Sequence, residues 1–169
     1  IIGAGNFAST TILPILRDLK RECDVIGVAS SGGLSAEVLS RNFKIDNKYS
    51  TESEIIDSEE IDAVFILTQH HNHAELVIKA VNAGKAVYVE KPLALEVESL
   101  VKIEEAMYNA ENAKIFVCFN RRFAEATQFV KSKLNSTPAN SINFRFSVPA
   151  LDKDHWTNIK EIGGGRIII

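Results

Sequence analysis

A chain of 169 residues, 46% hydrophobic and 24% charged, is long enough to bury a sizeable core and has the composition of a soluble globular protein. Its formal net charge of -3 leaves no basic footprint for nucleic acid or for an anionic membrane surface, and no apolar run approaches the ~20 residues of a membrane-spanning helix. The two cysteines, Cys23 and Cys118, lie in apolar strand-like runs, as expected of buried, reduced thiols in a cytoplasmic protein.

The chain opens on Ile1-Ile2-Gly3 without a methionine and stops at Arg166-Ile167-Ile168-Ile169 inside an apolar run. Both ends read as cut, and a fragment of a longer protein is expected. Ile1-Ile2 has strand character and leads into Gly3-Ala4-Gly5-Asn6-Phe7-Ala8, a G-x-G-x-x-A pattern. The first glycine of such a pattern permits a tight turn, the second lets the backbone approach a pyrophosphate, and the small last residue lets a helix sit close to the sheet. Helix amides at that N-terminus favour phosphate. Without its strand-to-helix context, the same pattern is only a glycine turn. The helix is predicted near Phe7 to Arg21, with Ile12, Leu13, Ile15, Leu16 and Leu19 at helical spacing and a kink at Pro14.

Cys23 to Ala29 is predicted as the second strand, ending at Ser30-Ser31-Gly32-Gly33. In a dinucleotide fold the residue at this place meets the adenosine ribose, and an acid there favours NAD. Serines stand here instead, with no adjacent arginine, so the choice between NAD and NADP stays open. Ser35 is predicted to cap a helix reaching about Phe43, Lys48-Tyr49 to form a short third strand, and Thr51-Glu52-Ser53-Glu54 to open a helix as a capping box.

Ala63-Val64-Phe65-Ile66-Leu67 is a continuous apolar run, as in a strand buried on both faces. It delivers Thr68-Gln69-His70-His71-Asn72-His73 to the carboxyl edge of a sheet. Three histidines in four residues invite a metal reading, but no second ligand cluster stands at a suitable spacing. Contact with a cofactor, or capping of a helix from Ala74 to Ala83, accounts for them better, so no metal is expected.

Ala83-Gly84 then releases Lys85-Ala86-Val87-Tyr88-Val89, which ends abruptly in Glu90-Lys91-Pro92. This reads as a buried strand stopped at its carboxyl end, where open α/β sheets keep their ligands. Alternation along the strand sends Glu90 and Lys91 to opposite faces, with Lys91 on the face of Val87 and Val89. Pro92 restricts Lys91 to extended geometry. The plainer reading of Lys91-Pro92 is a strand terminator.

An amphipathic helix is predicted from Leu95 to about Ala110 and a further strand from Lys114 to Phe119, followed by Asn120-Arg121-Arg122, which alone would read equally as a solvated helix start. Alternation of strands and helices up to this point argues for an α/β doubly wound parallel sheet. From Ser141 onward Ile142, Phe144, Phe146 and Val148 alternate with polar residues, as at the start of a mainly antiparallel α+β second domain. The expected division is 1–120 for a dinucleotide-binding domain and 121–169 for the beginning of a second, incomplete one.

Taken together, these motifs resemble the glucose-fructose oxidoreductase / inositol dehydrogenase (Gfo/Idh/MocA) family. The resemblance rests on the opening glycine pattern, Thr68 through Ala74, the A-G-K-x-V-x-x-E-K-P run from Ala83 to Pro92, Phe119-Asn120-Arg121-Arg122-Phe123, and Asp154-His155-Trp156 followed by Gly163-Gly164-Gly165-Arg166. The last two look most like the branch found fused behind a zinc-type alcohol dehydrogenase domain. The resemblance implies an NAD(P)-dependent oxidoreductase acting on a secondary alcohol of a sugar, sugar nucleotide or cyclitol. It also implies Gly3, Gly5, Asn6 and Phe7 along the pyrophosphate, Ser30 near the adenosine ribose, and Thr68, His70 and His73 beside the cofactor. Lys91 corresponds to the catalytic lysine, Glu90 and Pro92 shape its cofactor-facing turn, and Arg122 and Trp156 border the substrate. Homo-oligomerisation through the second domain is a further implication. The catalytic histidine of the family is expected beyond Ile169, so the fragment itself is expected to be inactive. The alternative is a dinucleotide-binding regulator or scaffold without chemistry.

Overall fold

A computed structural model of the chain describes residues 1–46, 49–134, 143, 145, 147 and 150–165. A parallel sheet runs through it, with β1 (Ala63–Ile66), β2 (Ala86–Glu90) and β3 (Ile115–Cys118) side by side in that order. Val64 stands opposite Val87, and Val87 opposite Ile115. Two further extended segments join the β1 edge through parallel bridges, Ile2 to Ile66 and Ala29 to Ile2. The order across the sheet is therefore Ala29, Ile2, β1, β2, β3. The chain moves outward one way from Ile2 to Ala29, then returns past Ile2 and moves the other way. The crevice at the carboxyl ends of Ile2 and β1 is the switch point of such a sheet.

Successive strand residues face opposite sides, and each side has its own core. On one, Ile1 and Val28 pack with Leu13 and Leu16 of α1 (Leu13–Asp18) and with Ala36 and Leu39 of α2 (Leu34–Phe43). On the other, Ile2, Val64, Ile66, Val87 and Val89 meet Ile55 and Ile56 of α3 (Glu52–Asp57), Leu76, Val77, Ala80 and Val81 of α4 (His73–Asn82), and Ile103 and Ala106 of α5 (Val97–Asn109). Helices on both faces of a parallel sheet make this the doubly wound α/β fold expected from the alternating pattern. α3 begins with the anticipated capping box: Thr51 accepts from the Glu54 amide, and the Glu54 side chain accepts from the Thr51 amide.

The first helix departs from the simple kink expected at Pro14. A π-helical stretch, Ala8–Ile12, precedes α1, and the Leu13 amide donates to the Ala8 carbonyl. Proline has no amide to give, so the wider turn comes before it and Pro14 sits in the first turn of the α-helical part. The helix ends at Asp18, short of Arg21. The second strand is also shorter than expected, with only Ala29 bridged, and Cys23 is exposed with its thiol near the Leu19 carbonyl instead of buried. A turn after α1 occupies those positions, because Glu22 and Cys23 donate back to Leu19. Ser35 does not cap α2; the N-cap is Gly33, at φ 65 without a side-chain hydrogen bond. Tyr49 lies outside any strand, and Lys48 lies outside the described residues.

Beyond β3 come a 3-10 turn (Asn120–Phe123) and α6 (Glu125–Leu134), none of whose residues is buried. A second 3-10 turn, Trp156–Asn158, and α7 (Lys160–Gly163) close the described chain. Ile142, Phe144, Phe146 and Val148, the expected start of a second domain, lie outside the described residues.

Candidate cofactor and catalytic site

Gly3 and Gly5 have different surroundings. Gly3 has φ 105, its amide donates to the Ala29 carbonyl at 2.8 Å, and a β-carbon on it would stand 2.6 Å from the Leu67 carbonyl carbon and oxygen. A β-carbon on Gly5 would meet no heavy atom within 4 Å. The chain thus closes tightly under Gly3 and leaves open space over Gly5, at the start of the first helix. Exposed Asn6 begins that helix, its carbonyl accepting from the Ser9 and Thr10 hydroxyls at 2.9 and 2.8 Å. Half-buried Phe7 packs against the α1 core. Open space over a glycine at a helix N-terminus fits a phosphate group held by backbone amides.

At the end of the Val28-Ala29 segment, the Ser30 hydroxyl pairs with that of Ser35 at 3.1 Å, and Gly33 donates to the Ser30 carbonyl. The two serines therefore stand together at the start of α2.

The loop after β1 and the turn after β2 are joined by His73. Its ring is fully buried; Nδ1 lies 2.7 Å from the Pro92 carbonyl oxygen and Nε2 lies 3.1 Å from that of Thr68. Thr68 turns its own hydroxyl to the Gln69 carbonyl at 3.3 Å. Sequence reading placed His73 beside a cofactor or at a helix cap; in the fold its ring ties Thr68 to the Lys91-Pro92 turn, whose peptide bond is cis. His70 is also buried, with Nδ1 2.8 Å from the Gly163 carbonyl oxygen and its ring edge-on to Trp156 at 4.7 Å and 78°. Burial lowers its pKa, and the positive charges of His73, Lys91 and His71 add to that effect, while the Gly163 hydrogen bond opposes it. Lys91 thus stands on the side of the sheet that carries His70 and His73, as alternation along β2 requires. His71 is exposed. Among the described residues, no three His, Cys, Asp or Glu side chains are grouped to hold a metal ion.

Glu90 emerges on the opposite face with Tyr88. Its Oε2 accepts from the Lys91 amide at 3.3 Å, and its Oε1 is buried without a hydrogen-bond partner among the described residues. An orphaned carboxylate oxygen at a strand end suits a donor brought by a ligand. Beside it the Tyr88 hydroxyl donates to the Cys118 thiol at 2.5 Å; burial holds both groups above their ordinary pKa values, keeping both protonated. This contact between β2 and β3 escaped sequence reading, although Tyr88 and Cys118 were both visible as apolar-run residues.

Arg122 stands apart. Its guanidinium lies 4.9 Å from the ring centres of both Phe116 and Phe123, and Nη2 donates to the Val117 carbonyl at 3.2 Å. Phe65, Tyr88, Phe116 and Phe123 stack in sequence across the sheet toward it. Of the two residues expected to border a substrate, Trp156 is therefore the one brought to the histidine loop.

A model of the oxidoreductase family with an NAD-binding Rossmann fold, Gfo/Idh/MocA, matches residues 1–133. Inositol 2-dehydrogenase/D-chiro-inositol 3-dehydrogenase of Lacticaseibacillus casei is 28% identical over 137 residues, 80% of this chain and 39% of that protein. The crystal structure of myo-inositol dehydrogenase from Lactobacillus casei in complex with NAD(H) and myo-inositol superposes with a TM-score of 0.74 at 27% identity, over 80% of this chain and 40% of that one. A 3-ketoreductase from Actinomadura kijaniata, solved in complex with NADP, shares the fold with a TM-score of 0.83 at 21% identity, over 99% of this chain and 51% of that one. The chain spans about half or less of the length of these proteins.

Proposed function

The chain belongs to the Gfo/Idh/MocA oxidoreductase family, and on that premise we propose that it forms the cofactor-binding part of an NAD(P)-dependent dehydrogenase that interconverts a secondary alcohol and a ketone on a sugar, sugar nucleotide or cyclitol. The observation that carries this reading is the open space over Gly5 at the switch point of the sheet, with Lys91 at the carboxyl end of a neighbouring strand. Residues 1–120 are proposed as the dinucleotide domain and 121–169 as the beginning of a second one; the exposure of every side chain of α6 but the half-buried Leu134 supports a boundary near Asn120.

Gly5, Asn6 and Phe7 would hold the pyrophosphate over the tight turn that Gly3 makes, with Ser30 at the adenosine ribose and Thr68, Glu90 and Pro92 around the nicotinamide end. When bound, the nicotinamide accepts or supplies a hydride. Lys91 takes the proton of the substrate hydroxyl during oxidation and returns it to the ketone oxygen during reduction. Trp156, held edge-on against His70, would border the substrate. The Ser30–Ser35 hydroxyl pair offers neither an acid for the ribose hydroxyls of NAD nor a cation for the phosphate of NADP, and among similar proteins both cofactors occur.

Calorimetric titration with NAD(H) and NADP(H), repeated with Gly5→Val, tests the reading. Saturable binding that disappears in the variant is the expected result. Absence of binding for both cofactors in the full-length protein would overturn it, and binding without turnover of any alcohol would leave a dinucleotide-responsive regulator.

A further inference from the structure

His70 joins the last described segment to the loop after β1. That segment supports itself: Asp152 accepts through its carbonyl from the His155 amide and the Asn158 side chain, and the Thr157 backbone runs so close to Gly163 that a β-carbon there would overlap it. The 3-10 turn and α7 therefore form one small hook, with buried Thr157 at its centre. The hook meets the histidine loop at two points on one ring, the Gly163 carbonyl at 2.8 Å and the Trp156 edge at 4.7 Å.

A carbonyl can only accept, so Nδ1 of His70 carries the proton and Nε2 keeps the lone pair. The tautomer is set by the hook, and the hook in turn is set by the ring. We infer that His70 is a positioning residue that fixes where Trp156 stands relative to Lys91, through its hydrogen bond to Gly163. The inference rests on the proposed roles of Lys91 and Trp156. It assigns His70 to holding Trp156, where sequence reading placed it against the cofactor.

Two substitutions separate the hydrogen bond from the packing. His70→Phe keeps a ring beside Trp156 but leaves the buried Gly163 carbonyl without its donor; His70→Asn keeps an amide donor close to the position of Nδ1 with less bulk. Trp156 is the one tryptophan in the chain, so its fluorescence reports on the hook alone. The expected result is loss of Trp156 protection from iodide quenching in His70→Phe and its recovery in His70→Asn, with circular dichroism confirming the fold. His70→Leu replaces the phenylalanine variant if the latter does not fold. In the full-length enzyme the same order is expected in substrate KM, raised about tenfold in His70→Phe by the unsatisfied carbonyl and restored in His70→Asn, with cofactor Kd unmoved. Unchanged quenching in the folded non-donor variant would overturn the inference, as would a cofactor Kd that shifts together with KM. A wild-type enzyme that turns over no alcohol would instead overturn the proposed activity, and the quenching comparison would still decide what holds the hook.

Discussion

Gly3 lies so close to Leu67 that a β-carbon would come within 2.6 Å of two backbone atoms, while Gly5, two residues on, faces open space. One glycine of the opening pattern thus serves the fold and the other leaves room for a ligand. Gly3→Ala must accept both a positive φ and an overlap, and should destabilise the chain by about 3 kcal/mol. Gly5→Ala, whose backbone needs no left-handed angle, should leave the thermal midpoint nearly unchanged and weaken dinucleotide binding. Denaturation curves of the two variants check the first part and titration the second; equal losses of stability would refute the division.

Lys91 is expected to carry the proton of the substrate hydroxyl. Lys91→Ala in the full-length protein should lower turnover by about 100-fold or more while cofactor affinity stays close to wild type. Steady-state kinetics alongside cofactor titration measure both. Near-full turnover would reduce Lys91 to a strand terminator.

His73 fills a fully buried site and joins the Thr68 and Pro92 carbonyls. His73→Leu keeps much of the volume and removes the ring N–H that serves these buried carbonyls, so a loss of about 2 to 4 kcal/mol is expected in chemical denaturation. Because the ring ties the Lys91 turn to the β1 loop, turnover should fall with it even under conditions where the variant is fully folded. A folded variant with wild-type rates would show that the turn holds itself.

His70 introduces a dependence on pH. Its pKa is lowered in the fold, chiefly by burial, so the folded chain disfavours the charged ring. Just below the ordinary value of 6.5 the unfolded chain binds more protons than the folded one, and stability falls as the pH drops through that value. The slope should flatten in His70→Asn. Identical slopes in wild type and variant, compared by denaturation at several pH values, would contradict this.

Cys23 is exposed, whereas Cys118 is buried, and its thiol pKa is raised by that burial. A disulfide reagent such as dithiobis-nitrobenzoate should therefore label one thiol quickly in the native chain and the second only on unfolding. Two fast equivalents at native conditions would place Cys118 in solvent.

Much of the fold could be read along the chain because its signals are local. A continuous apolar run of strand length needs two covered faces, a G-x-G-x-x-A pattern after strand residues needs a tight turn into a helix, and Thr51 with Glu54 three positions later satisfies the free amides of a helix start. Each of these depends on neighbours within a few residues, and each is in its expected place. Failures came where local pattern competed with chain geometry. Cys23 reads as part of a strand, but the chain first turns back onto Leu19; Ser35 reads as a cap, but Gly33 can adopt φ 65 and begins the helix earlier.

The sequence by itself determined the alternating α/β architecture, the glycine turn at its start and the Glu90-Lys91-Pro92 stop at a strand's carboxyl end, since periodicity and turn chemistry are properties of short stretches. Which carbonyl each buried histidine meets was decided only by the tertiary structure. His70 and Gly163 are 93 positions apart, and His73 bridges two loops that only the parallel pairing of β1 and β2 brings together. Composition can present three histidines as ligands, caps or core, but the direction of a ring nitrogen depends on which carbonyl the fold carries to it, and no local pattern encodes that.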